Sequence, residues 1–314
     1  MKLKTAFCFV IASNFSFAAV PEDSNPVKVI INNWTSQAVL ANIYGRLINS
    51  MGYKVEYAPV KSSAQWLKLK TGEVDVQVEV WEGTMSEKFN KLVGGNQALD
   101  AGTHDAKTRE DWWYPEYVEE QCPGLPDWQA LNKCASLFAG GKTKNKGRYV
   151  AGPWEKPDRA RIRALGMNFV VDKVKKGDDL WVALKKAAEK KQPIVLFNWT
   201  PNWVEAKYKG KFVEFPEYAP ECEKKSAWGV NPNFTFDCGN PKGGWLKKMT
   251  SVKMKSKWPC AYKLVNNFNF SNEMIAEVAA WVDVDNMSHN EAADKWIKQY
   301  EEKWKTWIPQ ECTA

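Results

Sequence analysis

The chain has 314 residues, a formal net charge of +7 and 44% hydrophobic residues, which is typical of a soluble globular protein with one large or two ordinary domains. Its lysines are spread among acidic residues rather than gathered in blocks, which argues against a nucleic-acid-binding protein. Tryptophan is over-represented, with 17 residues. Core packing alone rarely uses so many, because a buried indole must also place its N–H group.

The amino terminus has the pattern of a secretory signal peptide. Lys2 and Lys4 precede an apolar run over residues 6–12, and the small-x-small sequence Ser16-Phe17-Ala18 predicts cleavage after residue 18. The apolar run is too short to span a bilayer, and no later segment approaches the roughly 20 residues needed; a signal anchor is the alternative. Removal of the two lysines takes the charge from +7 to +5 (7 − 2).

Six cysteines remain after Cys8 leaves with the signal peptide, and an even number in an exported protein favours disulfides. Six cysteines allow 15 pairings. Closeness in sequence, and elimination for the last pair, favour three bridges: Cys122–Cys134, Cys222–Cys238 and Cys260–Cys312. No metal site is expected, because the sequence has no Cys-x-x-Cys and its only histidines are His104 and His289.

Strands and helices alternate along the first two thirds of the mature chain. Hydrophobic periodicity predicts strands at 27–32, 53–60, 74–80, 112–118, 148–154, 168–171 and 194–198. It predicts helices at 36–51, 64–71, 86–93, 127–138, 156–165 and 178–190. This alternation favours an α/β fold built from parallel sheets with helical crossovers.

The last third is predicted to be loop-rich at first and helical afterwards. Residues 206–262 contain three cysteines and several Gly, Asn and Pro breaks, which favours loops. Helices are predicted at 271–282 and 288–307. The second of these begins with a capping box, in which Ser288 and Glu291 satisfy each other's free N–H groups.

Four predicted strands deliver a tryptophan at or just beyond their carboxyl ends: Trp34, Trp81, Trp154 and Trp199. Ligands of open α/β sheets bind at the carboxyl ends of the strands. We call these four residues the tryptophan cage, because grouped indole faces suit a soft organic cation. The alternative for each is ordinary core packing, which we prefer for the remaining tryptophans such as Trp181 and Trp203.

The cage residues stand in longer motifs, Asn33-Trp34-Thr35, Gly152-Pro153-Trp154 and the fairly specific Asn198-Trp199-Thr200-Pro201-Asn202-Trp203. With these motifs the chain resembles periplasmic substrate-binding proteins of ABC importers for quaternary ammonium osmolytes, the glycine betaine, choline and trimethylamine N-oxide family. The resemblance covers essentially the whole mature chain. It implies a two-lobed periplasmic-binding-protein fold of mainly parallel sheets flanked by helices, with the ligand cleft between the lobes.

The resemblance also implies the domain organisation and the partners. After the signal peptide at 1–18, we expect a first lobe from 19–108 plus 225–314 and a second lobe from 109–224. The expected partners are a small trimethylammonium ligand and a membrane permease that docks transiently. We expect a periplasmic monomer that uses no cofactor and binds no nucleic acid.

Three further residues are candidates for the ligand site: Glu155, Glu82 and Trp113. In relatives, backbone N–H groups after the second-lobe tryptophan hold a betaine carboxylate, and the corresponding positions here are Glu155 and Lys156. A carboxylate of Glu155 or Glu82 that faced the cleft would repel that of glycine betaine and favour trimethylamine N-oxide or choline. Trp113 is a candidate for another aromatic wall, and packing between the lobes is its alternative.

Two other classes of protein compete with this interpretation. A glycosidase would need two carboxylates facing each other across a cleft, and Glu79, Glu82 and Glu205 stand in no catalytic frame. The sequence also lacks Gly-x-Ser-x-Gly, so an enzyme is disfavoured. A sugar- or peptide-binding receptor of the same build is the remaining alternative.

Overall fold

The computed structural model of the protein describes residues 21–140, 143 and 145–312. The predicted signal peptide, residues 1–18, lies outside these ranges. Within these ranges, no helix combines the length and the apolar character that crossing a bilayer requires.

Nine strands and twelve α-helices make up the regular structure of the described residues. The strands are β1 (Val27–Ile31), β2 (Val55–Pro59), β3 (Val76–Trp81), β4 (Leu99–Pro115), β5 (Gly147–Ala151), β6 (Phe169–Lys173), β7 (Val195–Thr200), β8 (Gly210–Phe212) and β9 (Gly244–Thr250). The helices are α1 (Thr35–Ser50), α2 (Gln65–Thr71), α3 (Glu82–Gly94), α4 (Trp128–Lys133), α5 (Asp158–Ala164), α6 (Asp178–Glu189), α7 (Val204–Lys207), α8 (Met254–Lys257), α9 (Pro259–Asn267), α10 (Asn272–Asp283), α11 (His289–Gln299) and α12 (Glu301–Lys305). Short 3₁₀ helices lie at Glu116–Glu120, Ala135–Phe138, Pro220–Glu223, Ser226–Trp228 and Gln310–Cys312.

The long strand β4 belongs to two sheets and joins them. In the first sheet, β1 runs parallel to β2 and β3, and β9 lies antiparallel between β3 and β4. In the second sheet, β5 runs parallel to β6 and β7, whereas β7 and β8 pair antiparallel with β4. The continuous strand order is β2-β1-β3-β9-β4-β7-β5-β6. The predicted α/β fold with parallel strands and helical crossovers is therefore confirmed.

Each sheet has its own hydrophobic core. The first core draws its buried residues from 27–106 and 246–312. The second draws them from 112–215, together with Ala279. We call the parts of the chain around these two cores the first and the second lobe. Trp154 and Trp199 pack partly against both cores, so they lie between the lobes.

Local sequence explains how the elements begin and end. Helix α1 turns Val39, Ile43 and Leu47 into the first core, which is the period of an amphipathic helix. It ends before Gly52, whose φ of +93° suits a residue without Cβ. The predicted capping box at the start of α11 is confirmed, since Ser288 and Glu291 exchange both hydrogen bonds.

The prediction of loops over residues 206–262 is wrong for its second half, where β9, α8 and α9 lie. The pair Lys247 and Lys248 obscures the strand pattern of β9. Lys248 is fully buried, and its ammonium group donates to the carbonyl oxygens of Asn266 and Phe268 at the carboxyl end of α9. This partnership between distant segments leaves no mark in the local sequence.

Two other boundaries also differ from the predictions. Of the predicted strand at 112–118, only residues 112–115 are strand, and they form the end of β4; the rest lies in the 3₁₀ helix Glu116–Glu120. The first part of β4 is built on small buried residues such as Ala101 and Ala106 rather than on bulky apolar ones. The predicted helix 288–307 is broken at Tyr300 into α11 and α12. The indole N–H of Trp304 donates across the break to the carbonyl of Ile297 at 2.8 Å.

Three disulfides join the six cysteines of the described residues: Cys122–Cys134, Cys222–Cys238 and Cys260–Cys312. These are the pairs that sequence spacing favours. The first two brace the second lobe and the irregular segment that follows it. The third ties the carboxyl-terminal segment to α9 in the first lobe.

Candidate ligand-binding site

The four residues of the tryptophan cage line one cavity between the lobes. Trp34 follows β1 and Trp81 ends β3 in the first sheet, whereas Trp154 follows β5 and Trp199 lies near the end of β7 in the second. Parallel strands bring their carboxyl ends to the same edge of a sheet. The two edges face each other, so that four distant parts of the sequence meet around one space.

Two neighbouring pairs of cage rings stand close to right angles. The ring centroids of Trp34 and Trp154 are 6.5 Å apart at an interplanar angle of 83°. Those of Trp154 and Trp199 are 5.4 Å apart at 87°. Perpendicular rings present their faces as walls of a box. The cavity volume is about 60 Å³, room for roughly four to six water-sized groups.

A buried carboxylate, Glu79, holds the first-lobe side of the cage. Its Oε2 atom accepts hydrogen bonds from Trp34 Nε1 at 2.7 Å and from Trp81 Nε1 at 3.1 Å. Burial raises the pKa of Glu79 to about 7, and the hydrogen bonds from Trp34, Trp81 and Ser36 oppose this shift. Burial outweighs the hydrogen bonds because the site excludes water.

The second-lobe side of the cage is supported by aromatic packing. Trp181 of α6 lies behind Trp199, with ring centroids 5.2 Å apart, and also contacts Trp203. Trp154 donates its indole N–H across the cleft to Asn33 Oδ1 at 3.2 Å. The expectation that Trp181 and Trp203 serve packing agrees with these contacts.

The polar part of the cavity is a buried ion pair. Lys156 Nζ lies 2.6 Å from Glu110 Oε1, and the two side chains are only 8% and 7% exposed. Lys156 also donates to the Thr84 hydroxyl and sits 4.2 Å from the centroid of the Phe197 ring. The second oxygen of Glu110, Oε2, is buried without a hydrogen-bond partner. A cation, an anionic oxygen and an apolar box thus share one cavity.

The rim of the cavity carries an exposed ion pair between the lobes. Lys88 of α3 lies 3.4 Å from Glu155, which follows β5. Glu155 belongs to the cavity lining, but its side chain is 74% exposed and turned toward Lys88.

The structure brings together five of the seven candidate site residues: Trp34, Trp81, Trp154, Trp199 and Glu155. Glu82 is not in the cavity lining, and its carboxylate accepts a hydrogen bond from the Trp245 backbone N–H at 2.9 Å. Trp113 is fully buried in the second core. Its ring packs so tightly on Gly210 that a Cβ at that position would overlap it.

Sequence reasoning did not assign several lining side chains to the site, namely Trp66, Lys88, Glu110 and Phe197. One signal was available for Phe197. It lies two residues before Trp199 on the same strand, and alternate residues of a strand share a face. Glu79 likewise lies two residues before Trp81 on β3. No local pattern identifies Glu110, because its neighbours in the cavity come from other elements.

No group of three or more His, Cys, Asp or Glu side chains among the described residues could hold a metal ion. The cavity combines aromatic ring faces with one buried ion pair.

Comparisons with known proteins agree with this architecture. Residues 25–299 match the family described as the substrate-binding domain of the ABC-type glycine betaine transport system, OpuAC. The chain is 32% identical over 315 residues to the trimethylamine N-oxide-binding protein of Pelagibacter ubique (strain HTCC1062). That alignment covers 96% of this chain and 98% of the relative.

Solved structures share the fold at lower identity. The glycine betaine, L-proline binding protein ProX of Borrelia burgdorferi superposes with a TM-score of 0.72 at 18% identity, covering 92% of this chain and 98% of that one. An ABC-transporter choline-binding protein in complex with choline gives a TM-score of 0.71 at 16% identity, covering 92% of this chain and 93% of that one. The structural neighbours of this chain are two-lobed periplasmic binding proteins, the fold that the resemblance implies.

These matches favour the main interpretation over a sugar- or peptide-binding receptor. The family consists of extracytoplasmic transport proteins rather than enzymes. The chain belongs to the OpuAC family, the substrate-binding domains of ABC-type glycine betaine transport systems.

Proposed function

We propose that the tryptophan cage encloses the trimethylammonium head of a small osmolyte, and that trimethylamine N-oxide is the preferred ligand. The observation that carries this proposal is the meeting of four tryptophans from four strand ends around one cavity. A trimethylammonium group has no N–H to donate, so hydrogen bonds to nitrogen are unavailable. Indole faces attract it through the ring quadrupole, with about 0.5–2 kcal/mol from each desolvated face.

The polar part of the cavity favours an oxygen that accepts hydrogen bonds without a carboxylate. Lys156 can donate to an N-oxide oxygen at the place where it already meets Glu110 and Thr84. The Glu110 carboxylate, which pairs with Lys156 at 2.6 Å, would repel a ligand carboxylate that bound the same ammonium group. The relative with 32% identity is named for the same compound.

We further propose how the protein works as a whole. The lobes close around the ligand. The ligand drives this closing by binding the closed form more tightly than the open form. The closed form then docks on a membrane permease. The protein works as a periplasmic monomer after cleavage of residues 1–18, and amino-terminal sequencing of the exported protein tests the cleavage at Ala18.

We also propose the boundaries of the lobes. The first boundary near 108/109 is supported by the division of buried residues between the two cores. The second is better placed near 243/244 than at 224/225. The Cys222–Cys238 disulfide bridges the earlier position, and Asn231 donates to the carbonyl of Ala164 in the second lobe at 2.6 Å.

Calorimetric titration of the purified protein with trimethylamine N-oxide, glycine betaine and choline tests the proposal. We expect the N-oxide to bind most tightly. Preference for glycine betaine would overturn the argument from Glu110, and absence of binding by all three would overturn the proposed function.

Replacement of Trp199 by Ala tests the cage itself. The variant loses one ring face, so we expect binding to weaken by about 1–2 kcal/mol, or roughly five- to thirtyfold in Kd. Trp228→Ala is the matched control, because Trp228 is 45% exposed and lies outside the cavity lining. Equal affinities for the two variants would remove Trp199 from the site.

A further inference from the structure

One buried carboxylate lies directly behind two walls of the tryptophan cage. Glu79 is fully buried in β3, and its Oε2 atom accepts from the indole N–H groups of both Trp34 and Trp81. The Ser36 hydroxyl donates to the same atom at 3.1 Å, whereas Oε1 has no hydrogen-bond partner. A single oxygen therefore fixes two rings that reach the cavity from different strands.

We propose that Glu79 is a positioning residue of the ligand site, whose negative charge orients the Trp34 and Trp81 rings and strengthens their attraction for a cation. Hydrogen bonds to an ionised acceptor are stronger than neutral ones, and they polarise the donor in a dry interior. An indole that donates to a carboxylate has a more negative ring face, the feature on which cation–π attraction depends. The inference rests on the proposed function.

The groups that donate to Glu79 are uncharged, so its charge is not neutralised locally. On the side of α1 and α2, a buried amide network continues from it: Gln77 accepts from the Glu79 backbone N–H at 3.0 Å, and its own amide donates to Asn32 and Gln65. The other ionisable side chains around β3 each contact a partner other than Glu79. His104, Lys248 and Glu82 form hydrogen bonds with backbone groups. The remaining ones form ion pairs: Lys247 with Asp100, Lys156 with Glu110, and Lys88 with Glu155.

The raised pKa of Glu79, about 7, makes this role measurable near neutral pH. A trimethylammonium ligand keeps its own charge through that range. The carboxylate form attracts the cation, so the affinity of the wild-type protein rises with pH. We expect about a fivefold gain between about pH 6 and about pH 8.5, the larger part of the tenfold total that a shift of one unit in the pKa of Glu79 on binding gives.

The test is the variant Glu79→Gln, which keeps the shape and one acceptor oxygen but loses the charge. Calorimetry should give binding about tenfold weaker than wild type at about pH 8.5 and a flat pH profile. Glu277→Gln is the matched control. That carboxylate accepts from the Tyr300 hydroxyl at 2.6 Å and the Gln299 amide at 3.0 Å, and it lies outside the cavity lining.

A ligand-independent measurement separates this inference from the proposed function. In ¹⁵N-indole-labelled protein, the Nε1–H resonances assigned with Trp34→Phe and Trp81→Phe should move together, with a midpoint near the pKa of Glu79. They should not titrate in Glu79→Gln. If these resonances titrate but no compound binds, the proposed function fails and the charged contact stands. If the wild type binds tightly and Glu79→Gln matches its affinity and pH profile, the inference is overturned.

Discussion

An ionised carboxylate inside a core costs stability, and Glu79 carries this cost at the ligand site. Its pKa is about 7 in the folded protein against an ordinary 4.5. Between these values the folded chain holds a proton that the unfolded chain releases. The contribution of Glu79 to the free energy of unfolding therefore falls as pH rises through this window, by about 3 kcal/mol in total.

In the variant Glu79→Gln, the free energy of unfolding should not fall in this way, because a glutamine side chain does not titrate. Relative to the wild type, the free energy of unfolding of the ligand-free variant should improve by about 3 kcal/mol between about pH 4.5 and about pH 8. Other titrating groups, such as buried His104, contribute equally to both proteins and cancel. Urea unfolding at the two pH values checks this, with Glu277→Gln as the control. Parallel pH profiles for wild type and Glu79→Gln would contradict the assignment.

At the scale of single residues, the sequence predicted the cage but not its support. Trp34, Trp81, Trp154 and Trp199 are visible because each lies at or just beyond the carboxyl end of a recognisable strand. The sequence identifies Glu79, the hydrogen-bond partner of two of them, only as a carboxylate that stands in no catalytic frame. Its role depends on Trp34 arriving 2.7 Å from its oxygen, a contact across 45 residues of sequence that no local pattern encodes.

At the scale of elements, the cleft is closed by contacts between α3 and the segment after β5. Lys88 and Glu155 meet at the rim at 3.4 Å, with side chains 50% and 74% exposed. This pair joins the two lobes, so it stabilises the closed form only. Its exposure limits the gain to about 0.2–1 kcal/mol, and salt weakens it further.

Reversing one charge of this rim pair should weaken ligand binding. For Lys88→Glu we expect about a two- to fivefold increase in Kd at low salt, because like charges then face each other across the closed cleft. Addition of Glu155→Lys should restore the affinity. The pair Lys263–Glu311, 2.9 Å apart within the first lobe, is the matched control for the same reversals. Failure of the double variant to recover would show that the pair does not act through closure.

Elements with bulky alternating or helical patterns were predictable, and elements held by buried polar partners were not. Helices α1 and α6 lie within one or two residues of their predicted bounds. Strand β9 was missed because a buried lysine stands where an apolar residue was expected. The first half of β4 was missed because small residues such as Ala101 and Ala106 face the first core.

At the scale of the whole molecule, the two lobes meet around the ligand cavity. The proposed mechanism uses no cofactor. The resemblance to osmolyte-binding proteins predicted this build. Periodicity alone predicted only the strand–helix alternation. It could not show that β4 belongs to both sheets, since that requires pairing with β9 on one side and β7 on the other. The placement of the two sheets on either side of the cage is thus a property of long-range pairing.

The central claim is that the cage recognises positive charge rather than bulk. The most direct measurement is calorimetric titration with trimethylamine N-oxide and its carbon isostere tert-butanol, and in parallel with glycine betaine and the tert-butylacetate anion. Shape is kept within each pair while the cationic nitrogen is replaced by carbon. tert-Butanol also exchanges the N-oxide oxygen for a neutral hydroxyl, so the glycine betaine pair is the one that changes the nitrogen alone. We expect the isosteres to bind at least about a hundredfold more weakly, the loss of two or more cation–π contacts. Equal affinity within a pair would contradict the account.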